Sequence, residues 1–139
     1  MKLTTKGRYA VMAMADLANN SIHRPVSLTE ISLRQNISLP YLEQLFSKLK
    51  EKNLVKSTRG SCGGYTLEKS AAEIKISNII FAVDEQVKTL NCKRNSKKGC
   101  NNKSVKCIAH NLWEDLEDHI NEFFEKIKLE DLIDNSRHK

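Results

Sequence analysis

Between Ser27 and Leu49 the chain carries two helix starts eleven residues apart, and this pairing constrains the fold more than any other feature. Ser27-Leu28-Thr29-Glu30 has the pattern of a capping box. The Ser27 hydroxyl accepts an early helix N–H, and Glu30 reaches back toward the cap. A short helix to about Gln35 is predicted, with Leu28 and Ile31 facing inward. Asn36-Ile37 makes the turn. Ser38 then caps a second helix, and Pro40 falls in its first turn, where a missing N–H is tolerated. Leu39, Leu42, Leu45, Phe46 and Leu49 recur at helical spacing and define a buried stripe. Short helix, tight turn, second helix: these are the proportions of a helix-turn-helix. Upstream, Gly7–Ala18 is rich in Ala, Met and Leu and reads as a further helix ending at Asn19-Asn20, with Arg8 and Asp16 at the edges of its apolar part. Pro25 prevents its continuation.

The outer face of the second helix presents Tyr41, Glu43, Gln44, Ser47 and Lys48. Gln pairs with adenine, Glu accepts from cytosine N4, and Ser meets either base edge. Tyr and Lys suit phosphates. Taken alone, such a face is equally a solvated surface. The next segment tips the balance. Leu54–Ser57 reads as a strand, Thr58–Gly64 (TRGSCGG) as a glycine-rich turn, and Tyr65–Leu67 as the returning strand. A two-stranded ribbon after a helix-turn-helix is a wing. Its tip carries Arg59 and Gly60, and Arg is drawn into narrow minor grooves. Charge agrees with a polyanionic partner: residues 1–60 carry a net +6, while the whole chain is also +6.

The rest of the chain is patterned differently. Ser77–Val83 reads as a brief apolar helix, followed by a long segment from Asp84 to Lys106. Within it, residues 88–106 hold seven Lys/Arg and no acid. The run from Cys92 to His110, CKRNSKKGCNNKSVKCIAH, has the spacing C-x7-C-x6-C-x2-H. Thiols of a cytosolic protein stay reduced, so these groups point to metal or redox chemistry rather than disulfides. Three thiolates and an imidazole suit an iron–sulfur cluster and equally a structural zinc ion, and spacing leaves the two open. After Lys106, the positions Ile108, Leu112, Leu116, Ile120, Phe123, Phe124 and Ile127 predict one long amphipathic helix, with acids Glu114, Asp115, Glu117, Asp118 and Glu122 opposite. So small a domain has little core to cover such a stripe, and pairing with a second copy does so.

KGRYAVMAM, ISLPYLEQLFSKL, RGSCGGY and the cysteine run together resemble the IscR-type iron–sulfur regulators of the Rrf-two family of winged-helix repressors. The resemblance spans Lys2 to about Ile133. It implies a homodimer on a palindromic double-stranded operator, controlling iron–sulfur assembly genes according to whether a 2Fe–2S cluster, received from the assembly machinery, is bound. Carried over by position, it implies Cys92, Cys100, Cys107 and His110 as cluster ligands. It also implies Tyr41, Glu43, Gln44 and Arg59 on the DNA-reading surface. The ligand gaps are longer than the family's usual ones. Cys62 stands in the wing where the family commonly has proline or glycine; near Arg59 it is a candidate redox-sensitive thiol.

The expected architecture is mainly α: a winged helix-turn-helix over 1–83, a cluster-binding loop over 84–107, a dimerisation helix with a C-terminal turn over 108–134, and a frayed tail over 135–139. No H-E-x-x-H, phosphate-binding glycine loop, nucleophile elbow or C-x-x-C occurs, and the chain is read as a non-enzyme. No apolar run approaches the roughly 18–20 residues of a membrane span, so a cytoplasmic protein is expected. The competing readings are a nitric-oxide-sensing or zinc-bound regulator of the same family and, from another class, a cluster carrier or redox protein. A carrier has no need of a wing.

Overall fold

The computed structural model describes residues 5–61, 63–83 and 108–137, with side chains through Ile133. The first helix, α1 (Thr5–Asn20), buries Ala10, Ala13, Met14, Leu17 and Ala18. Its spacing of small and long apolar side chains makes it the platform on which the next elements pack. α2 (Leu28–Gln35) and α3 (Leu39–Glu51) follow as the sequence predicts. Ser27 Oγ accepts the Glu30 N–H at 3.2 Å, and Ser38 Oγ accepts the Tyr41 N–H at 3.2 Å. Asn36 adopts φ 56°, a left-handed turn that asparagine accepts at modest cost, and its N–H reaches the Ser32 carbonyl. Ile31, Leu42, Leu45, Phe46 and Leu49 enter the core, while Leu39 and Leu28 are half-buried.

One detail of the predicted cap differs. The Glu30 carboxylate does not reach back to its own helix start. It pairs with Arg24 at 2.9 Å and 3.0 Å, and with Arg34 at 3.4 Å. A charged guanidinium offers a carboxylate a stronger partner than a neutral amide does, so the box is formed on the serine side only.

β1 (Val55–Thr58) and β2 (Gly64–Leu67) form the antiparallel ribbon, in the register Val55↔Leu67 to Thr58↔Gly64. The far edge of β2 is not left open: Tyr65 and Val26 exchange backbone hydrogen bonds of 2.7 Å and 3.0 Å. That close approach needs a glycine beside it. A Cβ on Gly64 would lie 2.5 Å from the Val26 carbonyl carbon and oxygen. From the core side, the Phe46 ring meets Tyr65 edge-on, with centroids 5.0 Å apart, and joins α3 to the wing.

α4 (Ile76–Ala82) packs Ile76, Ile79, Ile80 and Ala82 inward. Beyond the undescribed segment come α5 (His110–Lys126) and α6 (Leu129–Arg137). The amphipathic helix expected over 108–127 is α5, 17 residues long, and it is separated from α6, a second helix where a C-terminal turn is expected. The reason is long-range. The Ile76 N–H binds the Ile127 carbonyl at 2.9 Å, and the Leu129 N–H binds the Ile74 carbonyl at 2.8 Å. The Lys128 N–H is capped by Asp131 at 3.0 Å, which starts a new helix. α6 turns back onto α1, with Leu129 and Ile133 in the core, and runs through Arg137. Residues 135–137, expected as a frayed tail, are thus helical.

Candidate functional site

Three elements assemble one surface. The capped start of α3 projects Tyr41; the next turns project Glu43, Gln44 and Ser47, all exposed, and Lys48, half-buried. The stripe Leu42, Leu45, Phe46 and Leu49 anchors the opposite side of the same helix, and this fixes which residues face out. The wing presents Lys56, Arg59 and Gly60, all exposed. Gly60 has φ +122°, a conformation disfavoured for L side chains, so the tip bends where Arg59 stands. The register and the Phe46–Tyr65 contact hold wing and helix together. On the solvent side the same is done by Lys50, whose Nζ donates to Ser57 Oγ at 2.9 Å. Such a surface offers hydrogen-bonding side chains at helix spacing beside cationic ones, the combination that reads base edges and phosphates.

Two features of this surface escape sequence reasoning. Lys50 and Ser57 become neighbours only when β1 turns back along α3. Asp16 reads as the polar edge of an amphipathic helix, yet it is 5% exposed. Its carboxylate receives Arg34 Nε at 2.9 Å, Arg34 Nη2 at 2.8 Å and Gln35 Nε2 at 2.8 Å. Burial pushes its pKa up, but the hydrogen bonds from Arg34 and Gln35 and the Arg34 charge outweigh this, and the carboxyl is held below its ordinary value. A single acid among Ala13, Met14, Leu17 and Ala18 is the signal available in the sequence.

Of the candidate metal ligands, His110 is the first residue of α5 and is 3% exposed. Its Nε2 lies 3.5 Å from Glu114 Oε2, one turn along. Cys92, Cys100, Cys107 and Cys62 lie outside the described residues. Elsewhere α5 is open. Leu112, Trp113 and Phe123 are exposed, and Leu116 and Ile120 half-buried, although α5 packs on α4. No described helix is long and apolar enough to cross a membrane.

Residues 3–135 match the model of the Rrf2 family, described as an iron-dependent transcriptional regulator. The chain belongs to the Rrf2 family. Its similarity to the curated HTH-type transcriptional regulator IscR of Photorhabdus laumondii is 51% identity, over 97% of this chain and 80% of that protein. For the IscR of Escherichia coli O9:H4 the identity is 50%, over 97% and 82%. Among solved structures, T. potens IscR superposes with a TM-score of 0.78 at 35% identity, covering 98% of this chain and 88% of that one. CymR, described as the global cysteine regulator of B. subtilis, superposes with 0.80 at 32% identity, covering 97% and 98%. Within the Rrf2 family this chain is an IscR-type transcriptional regulator with a DNA-binding winged helix. That is the fold and family the sequence motifs imply.

Proposed function

We propose that this Rrf2-family regulator binds palindromic double-stranded operators as a homodimer in the cytoplasm. In this reading it acts mainly as a repressor of iron–sulfur assembly genes and has no enzymatic activity. A 2Fe–2S cluster on Cys92, Cys100, Cys107 and His110, supplied by the assembly machinery, decides which operators it accepts. The observation that carries the reading is the start of α5. A buried imidazole opens that helix directly after the cysteine run, and the helix then leaves Leu112, Trp113 and Phe123 uncovered within one chain. Donor chemistry fits the group. Three thiolates and one neutral imidazole give a less negative centre than four thiolates, and Lys93, Arg94, Lys97, Lys98, Lys103 and Lys106 favour thiolates and offset the remaining charge. Glu114 Oε2 lies 3.5 Å from His110 Nε2, where a carboxylate would orient the ring of a ligating imidazole.

In this division of labour, residues 1–83 read DNA, 84–107 hold the cluster, and 108–134 join the two copies. Tyr41 and Lys48 meet phosphates; Glu43, Gln44 and Ser47 meet base edges; Arg59 and Gly60 enter the minor groove. A cluster held by Cys92, Cys100, Cys107 and His110 would couple those residues to the start of α5 and so bias the pose of the reading heads. A coupling of about 1–3 kcal/mol is enough to shift promoter choice five- to 150-fold. The test is anaerobic purification with iron and sulfide analysis and a visible spectrum. Cys92→Ala, Cys100→Ala and Cys107→Ala each lose the chromophore and keep the fold, whereas Cys62→Ala keeps both. Stoichiometric zinc without iron, or an unchanged spectrum in Cys107→Ala, overturns the cluster and leaves a winged-helix regulator with a structural metal.

A further inference from the structure

Tyr41 stands in the first turn of α3, where its backbone N–H is already taken by the Ser38 hydroxyl at 3.2 Å. Its ring is met from another element altogether. Tyr9 of α1 forms a T-shaped pair with it, with centroids 5.8 Å apart and planes at 89°. Both rings are half-buried and pack on the core without belonging to it. Perpendicular aromatic pairs at this distance are attractive beyond the area they cover, because the positive edge of one ring meets the negative face of the other. Tyr41 is therefore constrained twice, by its cap through the main chain and by Tyr9 through the side chain.

We infer that Tyr9 is a positioning residue for DNA recognition: it holds the Tyr41 phenol in the orientation that engages the phosphate backbone and makes no base contact itself. The inference rests on the reading that α3 faces DNA. An unrestrained tyrosine gives up rotamer freedom when it binds, and one already held by a neighbouring ring gives up less, so restraint converts directly into affinity. α1 is also the helix on which α4 and α6 pack. The contact thus ties the start of the reading helix to the element shared with the C-terminal helices.

The experiment is a double-mutant cycle in full-length protein, against a duplex that the parent selects from a randomised pool. Tyr9→Phe keeps the ring and is expected to bind like the parent. Tyr9→Leu keeps apolar volume but removes the ring, and is expected to lose roughly three- to tenfold in affinity, from the typical strength of such pairs. Melting temperature and dimer mass are measured alongside; Tyr9→Leu should lose no more than the few degrees that one such pair contributes and keep the parent's mass. In a Tyr41→Ala background, the Tyr9→Leu loss should vanish, since there is no ring left to hold. An equal loss in both backgrounds, or parent-like affinity of Tyr9→Leu, overturns the inference while leaving the DNA-reading role of Tyr41 intact. A Tyr41→Ala variant with parent affinity instead overturns that role, and the inference falls with it.

Discussion

Arg34 grips Asp16 through two nitrogens, Nε at 2.9 Å from one carboxylate oxygen and Nη2 at 2.8 Å from the other. The Asp16 side chain is 1% exposed and that of Arg34 37%. This forked pair joins α1 to α2 and so sets the angle at which the helix-turn-helix sits on its platform. Asp16→Ala removes the buried partner of a charge that can still turn toward water. A loss of about 2–4 kcal/mol is expected, toward the lower part of what breaking buried pairs costs. Urea unfolding measures it, and a loss within experimental error would show that the pair is dispensable.

The same carboxylate makes stability depend on acid. Its folded pKa is held below the ordinary 3.8. Its contribution is therefore complete above that value and disappears as pH falls through the lower folded value. The parent should lose stability more steeply than Asp16→Asn as pH drops below about 4. Melting curves across acid pH check this; parallel curves for the two proteins would contradict it.

Glu43 is exposed in the middle of the reading face. A carboxylate brought against DNA is costly unless a donor such as cytosine N4 meets it. Glu43→Ala should therefore let cluster-free protein bind sites that otherwise need the cluster. Mobility shifts on both classes of site, with and without cluster, give the answer, and an unchanged preference in the variant would remove Glu43 from discrimination.

Arg59 and Gln44 should fail in different ways. Gln44→Ala should relax preference at one base position by about 1–3 kcal/mol. Arg59→Ala should weaken sites with a narrow minor groove and flatten the salt dependence. Variants that bind every sequence as the parent does would misplace both residues.

Leu112 is 62% exposed in the single chain, so a charge there leaves the folded monomer nearly undisturbed. In a dimer seam the same charge is buried without a partner. Leu112→Glu should sediment as a monomer, at a cost to association of several kcal/mol, and lose operator affinity. A dimeric Leu112→Glu with full affinity would take this face of α5 out of the interface.

Much of this architecture is legible locally. Ser27 and Ser38 mark the starts of α2 and α3 by side chains that satisfy N–H groups within three residues. The α3 stripe follows from a 3.6-residue period, and the wing from the glycines around Arg59. The elements carrying the reading face could therefore be drawn from the sequence alone. The cysteine–histidine run proposed to hold the cluster is equally plain as a pattern, since such residues on a basic segment poor in apolar side chains have few other uses.

What the sequence by itself determined, then, is where the N-terminal helices begin, which of their faces turn inward, and which chemistry stands on the outer side. Tertiary structure decided what depends on segments distant in the chain. Asp16 is a buried anchor because α2 brings Arg34 and Gln35 to it. Glu30 leaves its cap because Arg24 and Arg34 converge on it. The helix expected over 108–127 is α5, but the chain breaks at Ile127 and starts a second helix where only a turn is expected. Ile76 and Ile74 claim the backbone groups of Ile127 and Leu129. Local periodicity records which side of a helix is apolar; it holds no information about a backbone partner some fifty residues away that competes for the same hydrogen bonds.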